Sequence, residues 1–219
     1  MRFALSVLIF FTFFSGSVVL AKEPTNLTEA KNAVIKYHDS GDYERDIAKV
    51  IADAMRYLKL ALEQGIPHGK KPAIVLDIDE TALSNYPEML KLNFGGTMAQ
   101  ILALGKDGDD PVILPTLHLY HFAKENKVAV FFVTGRREAE RDATVKNLEA
   151  AGYHQWDGLI LRNKMHEHDT AVAYKTAARA SIEAKGYHII LSVGDQKSDL
   201  KGDHVGKGYK LPGPFYLIK

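Results

Sequence analysis

Ala73-Ile74-Val75-Leu76-Asp77-Ile78-Asp79-Glu80-Thr81 joins an unbroken aliphatic run to a cluster of acids. Four aliphatic residues in a row mark a strand covered on both faces, a habit of parallel rather than antiparallel sheets. The run then ends in acids. Side chains alternate along a strand, so Asp77 and Asp79 project to the same side. Two carboxylates so placed repel each other unless a cation or a shared proton intervenes. A helix cap or a surface turn also uses such residues. A strand of buried aliphatics, however, delivers both acids to the carboxyl edge of a sheet, where ligands of α/β folds bind.

Downstream the same pattern recurs. Val128 to Val133 is a second apolar run, Leu159 to Leu161 a shorter one and Ile189 to Val193 another. Helical stretches separate them, at Thr116 to Glu125, Glu138 to Ala151 and Ala171 to Lys185. This alternation predicts an α/β fold, a doubly wound parallel sheet with helices on both faces. Phe215 to Ile218, after Pro212-Gly213-Pro214, is expected to add a final edge strand. Residues 84 to 115 read as loops around a short helix, placed to shape the entrance of a pocket. Asp107, Asp109 and Asp110 approach a calcium-loop pattern, but no Glu follows at the required spacing, so a solvated turn is expected.

Upstream, Thr25 to about Ile66 is helical: Ile47, Val50, Ile51, Ala54, Met55, Leu58 and Leu62 form one apolar stripe. Gly65 ends it and Pro67 prevents resumption. Gly41-Asp42 divides it in two, with Asp42 expected to cap the second helix. The stripe suits an N-terminal helical cover on the main domain. Before it, Arg2 and the apolar Phe3 to Phe14 lead to the small-residue exit Val19-Leu20-Ala21, the layout of a cleavable signal peptide. A membrane anchor needs about 20 apolar residues, and the polar Lys22-Glu23-Pro24 favours cleavage after Ala21 instead. The expected organisation is therefore a signal peptide over 1–21, a helical segment over 22–67 packing on the core, and a core domain over 68–219. The expected location is periplasmic or secreted.

The 219 residues carry 28 Lys and Arg against 27 Asp and Glu. Such a balance argues against a nucleic-acid polymer as partner, because displacing counterions from phosphates takes a basic surplus. There is no cysteine, so neither a disulfide nor a lipid on an N-terminal cysteine is available, and the packed core must hold the fold. The nine histidines, His166 and His168 among them, show no zinc-ligand pattern.

Further polar residues fall at the other strand ends. In Val133-Thr134-Gly135-Arg136, Thr134 offers a hydroxyl donor, Gly135 lets the backbone approach an anion, and Arg136 and Arg137 offer positive charge. Lys175 follows Tyr174 near the start of a helix. In Val193-Gly194-Asp195-Gln196-Lys197-Ser198-Asp199, Asp195 and Asp199 add two carboxylates, a hard-oxygen environment suited to magnesium.

Taken together, Asp77-Ile78-Asp79-Glu80-Thr81-Ala82-Leu83-Ser84-Asn85, Val133-Thr134-Gly135-Arg136, Tyr174-Lys175 and Gly194-Asp195-Gln196-Lys197-Ser198-Asp199-Leu200 resemble the haloacid dehalogenase-like phosphatase superfamily. Within it they are similar to the bacterial class B and C and plant acid phosphatases, a group that includes the plant vegetative storage proteins. The resemblance covers about residues 25 to 219. It implies a Rossmann-like, haloacid dehalogenase-like core and an acid phosphatase, exported on the separate pattern of residues 1–21, that hydrolyses small-molecule phosphate monoesters with Mg2+. Asp77 is then the nucleophile, forming an aspartyl phosphate, and Asp79 the general acid and later the base for water. Thr134 and Lys175 hold the phosphoryl group. Gly135 and Arg136 join them as substrate-binding candidates on the residue types alone, although an arginine at a helix start faces solvent at least as often. Asp77, the Asp79 carbonyl and Asp195 ligate the metal, with Asp199 close behind. No membrane contact is expected once the signal is removed, and a homodimer stays open.

Two other readings share this fold class. A secreted storage or binding protein on the same fold would follow from loss of the nucleophile's carboxylate, whereas Asp77 is present. A phosphate-accepting receiver domain also combines acids, a threonine and a lysine. The export signal, the Asp77/Asp79 spacing and the acids placed after Lys175 count against it.

Overall fold

The computed structural model describes residues 22–104 and 108–218. The expected signal peptide and Asp107 lie outside the described residues. At the centre is a five-stranded sheet in the order β3-β2-β1-β4-β5, formed by β1 (Lys71–Leu76), β2 (Ala129–Arg137), β3 (Gly158–Arg162), β4 (Tyr187–Gly194) and β5 (Lys207–Lys210). Every pairing is parallel. The helices are α1 (Leu27–Asp39), α2 (Asp42–Gln64), α3 (Tyr86–Lys91), α4 (Met98–Leu104), α5 (Leu114–Glu125), α6 (Arg141–Ala150) and α7 (Ala171–Ala184).

The central strand is buried because both faces are covered. Ile74 and Leu76 face a large core shared with α2 and α5, whereas Ala73 and Val75 face a smaller one under α7 with Ala178 and Ile182. In β2, Val130 and Phe132 go to the first side and Phe131 and Val133 to the second. That period of two is why the sequence shows unbroken apolar runs rather than alternation. From β1 the chain builds outward through β2 to β3, then crosses to β4 on the other flank. The crevice at the carboxyl end of β1 is the topological switch point, where such sheets bind ligands.

Several expected boundaries shift. Phe215 to Ile218 is not a strand: the sheet edge is β5, a lysine-flanked segment in which only Tyr209 is buried. At this edge β5 pairs on one side only and carries lysines that discourage further pairing, so it lacks the apolar run that announced the other four strands. Asp42 does not cap α2. Gly41, at φ 77°, is the cap residue, and Asp42 is the first helical residue, bound by Arg45 and Ser40. The sharp reversal between α1 and α2 needs that left-handed conformation, which glycine adopts without steric cost. The excursion after β1 holds two short helices, α3 and α4, rather than one. Finally, β2 runs on through Thr134 to Arg137, four residues past its apolar run.

Candidate active site

Beyond Leu76 the Asp77 amide donates to the Val193 carbonyl (3.0 Å), carrying the ladder one residue past β1. The chain then coils tightly: the amides of Thr81, Ala82 and Leu83 converge on the Ile78 carbonyl at 3.1, 2.8 and 2.9 Å. Glu80, in the left-handed region at φ 54°, closes this turn. The turn directs Asp77 and Asp79 into a cleft of about 690 Å³, also lined by Gly135, Arg136, Lys175, Asp195, Gln196 and Tyr216.

Lys175, from the first turns of α7, reaches across the crevice. Its Nζ donates to Asp77 Oδ1 at 2.8 Å and to Asp199 Oδ1. Burial alone would lower its pKa, but Asp77 and Asp199 hold it above the usual lysine value. One turn further along α7, buried Arg179 donates to the carbonyls of Asp199 (2.9 Å) and Asp203 (3.2 Å), so the same helix fixes the loop that carries Asp199. Asp199 Oδ2 accepts from the Gln196 amide at 2.8 Å. A Cβ at Gly194 would sit 2.2 Å from that oxygen, so the close approach requires glycine.

Asp77, Asp195 and Asp199 each bring a carboxylate oxygen within 4.8 Å of the others, and all three are buried. Asp195 Oδ2 accepts from Gln196 Nε2 at 2.6 Å, while Asp195 Oδ1 is buried with no hydrogen-bond partner. Burial, with Glu80 and Asp199 adding repulsion, pushes the Asp195 carboxyl up to about 8. Burial also drives Asp77 well above the carboxylate range, although Lys175 opposes this. A buried, unpartnered oxygen among hard carboxylate donors is the environment a small divalent cation such as magnesium relieves. The residues present therefore fit the expected ion. The Asp79 carboxylate is not in this group.

Asp79 instead faces Arg136, whose Nε and one terminal nitrogen donate to Asp79 Oδ1 at 2.9 and 2.7 Å. Burial raises the Asp79 pKa, yet Arg136 and a hydrogen bond from Asn85 outweigh it and hold the carboxyl below its ordinary value. Arg136 also donates to Asp110 Oδ2 at 2.8 Å. Thr134 lies fully buried beneath, its hydroxyl 3.5 Å from Asp79 Oδ2 and accepting from the Arg136 amide at 3.1 Å. A Cβ at Gly135 would meet nothing within 4 Å, so open space lies over that peptide.

All the expected site residues thus gather at one sheet edge, with Thr134 and Asp199 just under the cleft wall. Arg136 is clamped between two carboxylates rather than free, because β2 carries it past its apolar run into the site. The expected solvated turn at Asp109 and Asp110 is corrected in part. Asp110 is only 4% exposed, since Asn147 on α6 accepts from its amide (3.0 Å) and donates to its carbonyl (2.9 Å). No local pattern around Asp110 announces this, because its captor lies 37 residues away. Asn85, Glu80, Gln196 and Tyr216 were likewise given no role by their sequence positions.

Residues 14–219 match the family described as HAD superfamily, subfamily IIIB (acid phosphatase). The chain is 33% identical over 194 residues to "Acid phosphatase 1" of Solanum lycopersicum, covering 87% of this chain and 75% of that protein. It is also 33% identical over 184 residues to "Vegetative storage protein 2" of Arabidopsis thaliana, covering 82% of this chain and 68% of that one. Among solved structures, the class C acid phosphatase from Bacillus anthracis superposes with a TM-score of 0.74 at 23% identity, over 87% of this chain and 86% of that one. The sheet order, the acids gathered at its carboxyl edge and these similarities agree: the chain belongs to the acid phosphatases of HAD superfamily subfamily IIIB.

Proposed function

We propose that the protein hydrolyses small-molecule phosphate monoesters through an aspartyl phosphate on Asp77, with a magnesium ion held by Asp77, Asp195 and the Asp79 carbonyl and supported by Asp199. The observation that carries this reading is Lys175 bridging Asp77 and Asp199 beside the unpartnered Asp195 oxygen. A phosphate dianion repels an attacking carboxylate, so positive charge must be in place first. When bound, the cation supplies part of that charge, and Lys175 supplies the rest.

With Asp77 Oδ1 engaged by Lys175, the other carboxylate oxygen attacks phosphorus. The ester oxygen departs with a proton from Asp79, leaving the phosphoryl group on Asp77. Asp79, now ionised, takes a proton from water, which attacks phosphorus and releases phosphate and the Asp77 carboxylate. Two easier steps replace one very slow hydrolysis. Arg136 is the switch in this scheme. It holds Asp79 ionised in the resting site, and a bound phosphoryl group competes for the same guanidinium, releasing Asp79 to carry a proton. Thr134, the Gly135 backbone and Lys175 receive the remaining phosphoryl oxygens.

Metal removal tests this. A buried carboxyl such as Asp195, raised from 3.8 to about 8, favours the fold below the lower value and loses that contribution as pH rises through the higher one. A cation competes with protons for the same oxygens. Chelation should therefore abolish phosphate release and magnesium restore it. The ion should also raise the thermal midpoint more at about pH 8 than at about pH 5. Full activity after exhaustive chelation contradicts the metal assignment.

Export belongs to the same proposal, supported by the residue pattern of 1–21. Intact mass of the protein recovered from the expressing cells should correspond to a chain beginning at Lys22; a soluble product retaining Met1 would count against it.

A further inference from the structure

Residues 211–218, which follow β5, form no strand of their own, yet they are tied to both halves of the cleft. At its start the Leu211 amide donates to the Gly194 carbonyl at 2.9 Å. Gly213 lies against Asp195 so closely that a Cβ would stand 2.7 Å from the Asp195 carbonyl and 2.8 Å from Oδ2. Phe215 is buried beside Tyr43 and Tyr86, with ring centroids at 5.3 and 5.2 Å. Gln196 then clasps the end of the chain: Nε2 donates to the Tyr216 carbonyl (3.4 Å) and Oε1 accepts from the Ile218 amide (3.1 Å).

The Tyr216 hydroxyl reaches the other half. It donates to Glu80 Oε2, a residue 136 positions earlier. Glu80 Oε1 accepts from the Asn85 amide at 2.6 Å, and Asn85 Nδ2 donates to Glu80 Oε2 at 3.2 Å and to Asp79 Oδ1 at 2.9 Å. An unbroken chain of hydrogen bonds thus runs from Tyr216 through Glu80 and Asn85 to Asp79. Glu80 is fully buried and is not a glycine, yet it holds φ at 54°. A side chain persists in that conformation only where its surroundings over-determine it, and a buried carboxyl persists only where its oxygens are partnered. Tyr216 and Asn85 supply those partners.

Asp79 Oδ1 has two sources of orientation, Arg136 and Asn85. Arg136 is the one a phosphoryl group would draw away. Asn85 has no comparable competitor, and its amide is set by Glu80. We propose that Tyr216 is a positioning residue of the catalytic site: through Glu80 and Asn85 it holds the Asp79 carboxyl toward the leaving group, so that the C-terminal segment is a working part of the site. This rests on the reading of Asp79 as general acid.

The test is Tyr216→Phe in the mature full-length protein, which keeps the ring and removes only the hydroxyl. It is assayed on an alkyl phosphate, whose leaving group needs a proton, and on nitrophenyl phosphate, whose leaving group does not. kcat/KM for the alkyl ester should fall about tenfold, the low end for outer partners that orient a site, and for the nitrophenyl ester less than about twofold. In an Asp79→Asn background Tyr216→Phe should cause no further loss, because the effect travels through the acid. Asn85→Ala cuts the same chain next to Asp79 and should give the same selective loss, which covers a Tyr216 variant that folds poorly. Equal losses on both esters, an additive loss in the Asp79→Asn background, or a change confined to KM would overturn the positioning role. A parent protein inactive on every monoester, or an unselective loss in Asp79→Asn alone, would instead bring down the reading of Asp79 on which it rests.

Discussion

Asp77→Asn is expected to remove phosphate release almost completely, by about ten-thousand-fold or more, the scale on which losing a covalent nucleophile acts. The substitution keeps the shape of the side chain, and the carboxamide oxygen still accepts from Lys175 Nζ, which in the parent lies 2.8 Å from Asp77 Oδ1. Lys175 also keeps Asp199 as partner. The fold should therefore survive, and the loss is one of chemistry: an amide oxygen is a poor nucleophile, and one carboxylate is gone from the group of Asp77, Asp195 and Asp199. Intact-protein mass after quenching with substrate should show no added phosphoryl group. Release at a tenth of the parent rate would mean that another residue, or water, attacks the phosphorus.

Asp79→Asn should fail differently. It removes the proton donor and the later base but keeps the backbone carbonyl assigned to the metal, so magnesium binding should largely survive. General acid-base help contributes roughly a hundred- to ten-thousand-fold, and that is the loss expected on alkyl phosphates. For nitrophenyl phosphate the first step needs no proton, so the loss should shrink and phosphorylated Asp77 should accumulate. The buried Arg136 guanidinium loses one carboxylate yet keeps Asp110 at 2.8 Å, which limits the penalty of an uncompensated charge. The measurement is rate against leaving-group pKa, with intact mass to detect the trapped intermediate. A loss equal across all leaving groups would show that another residue is the acid.

The contrast between these two acids is a useful measure of what could be read from residues alone. Ala73 to Leu76 had to be a doubly covered strand because four consecutive aliphatics have no other economical place, and Ile189 to Val193 repeats the argument. From that follow the parallel sheet, the helices between its strands and the edge that carries Asp77, Asp79, Thr134, Asp195 and Asp199; Lys175, on a helix, was drawn to that edge only by the resemblance and the order of the motifs. Periodicity is a local property, and it survives in the sequence wherever burial is on both faces.

Sequence spacing places Asp77 and Asp79 together, yet it cannot say that one lies with Lys175 and the other with Arg136. That division comes from the turn around the Ile78 carbonyl and from β2 running on into the site. The lysine-flanked β5 has no apolar run to announce it, because only its Tyr209 is buried. Asp110 reads as a turn residue until Asn147 takes both of its peptide groups. Phe215 to Ile218 reads as a strand, but its backbone is claimed by Gln196 and its tyrosine by Glu80. Local pattern was enough to give four of the five strands, the working edge and the acids Asp77, Asp79, Asp195 and Asp199 on it, since each depends on neighbouring residues. Only packing settles which charge pairs with which, because those partners are brought together from 24 to 98 residues apart, and across such separations a hydrogen bond forms only once the packed core has fixed both ends.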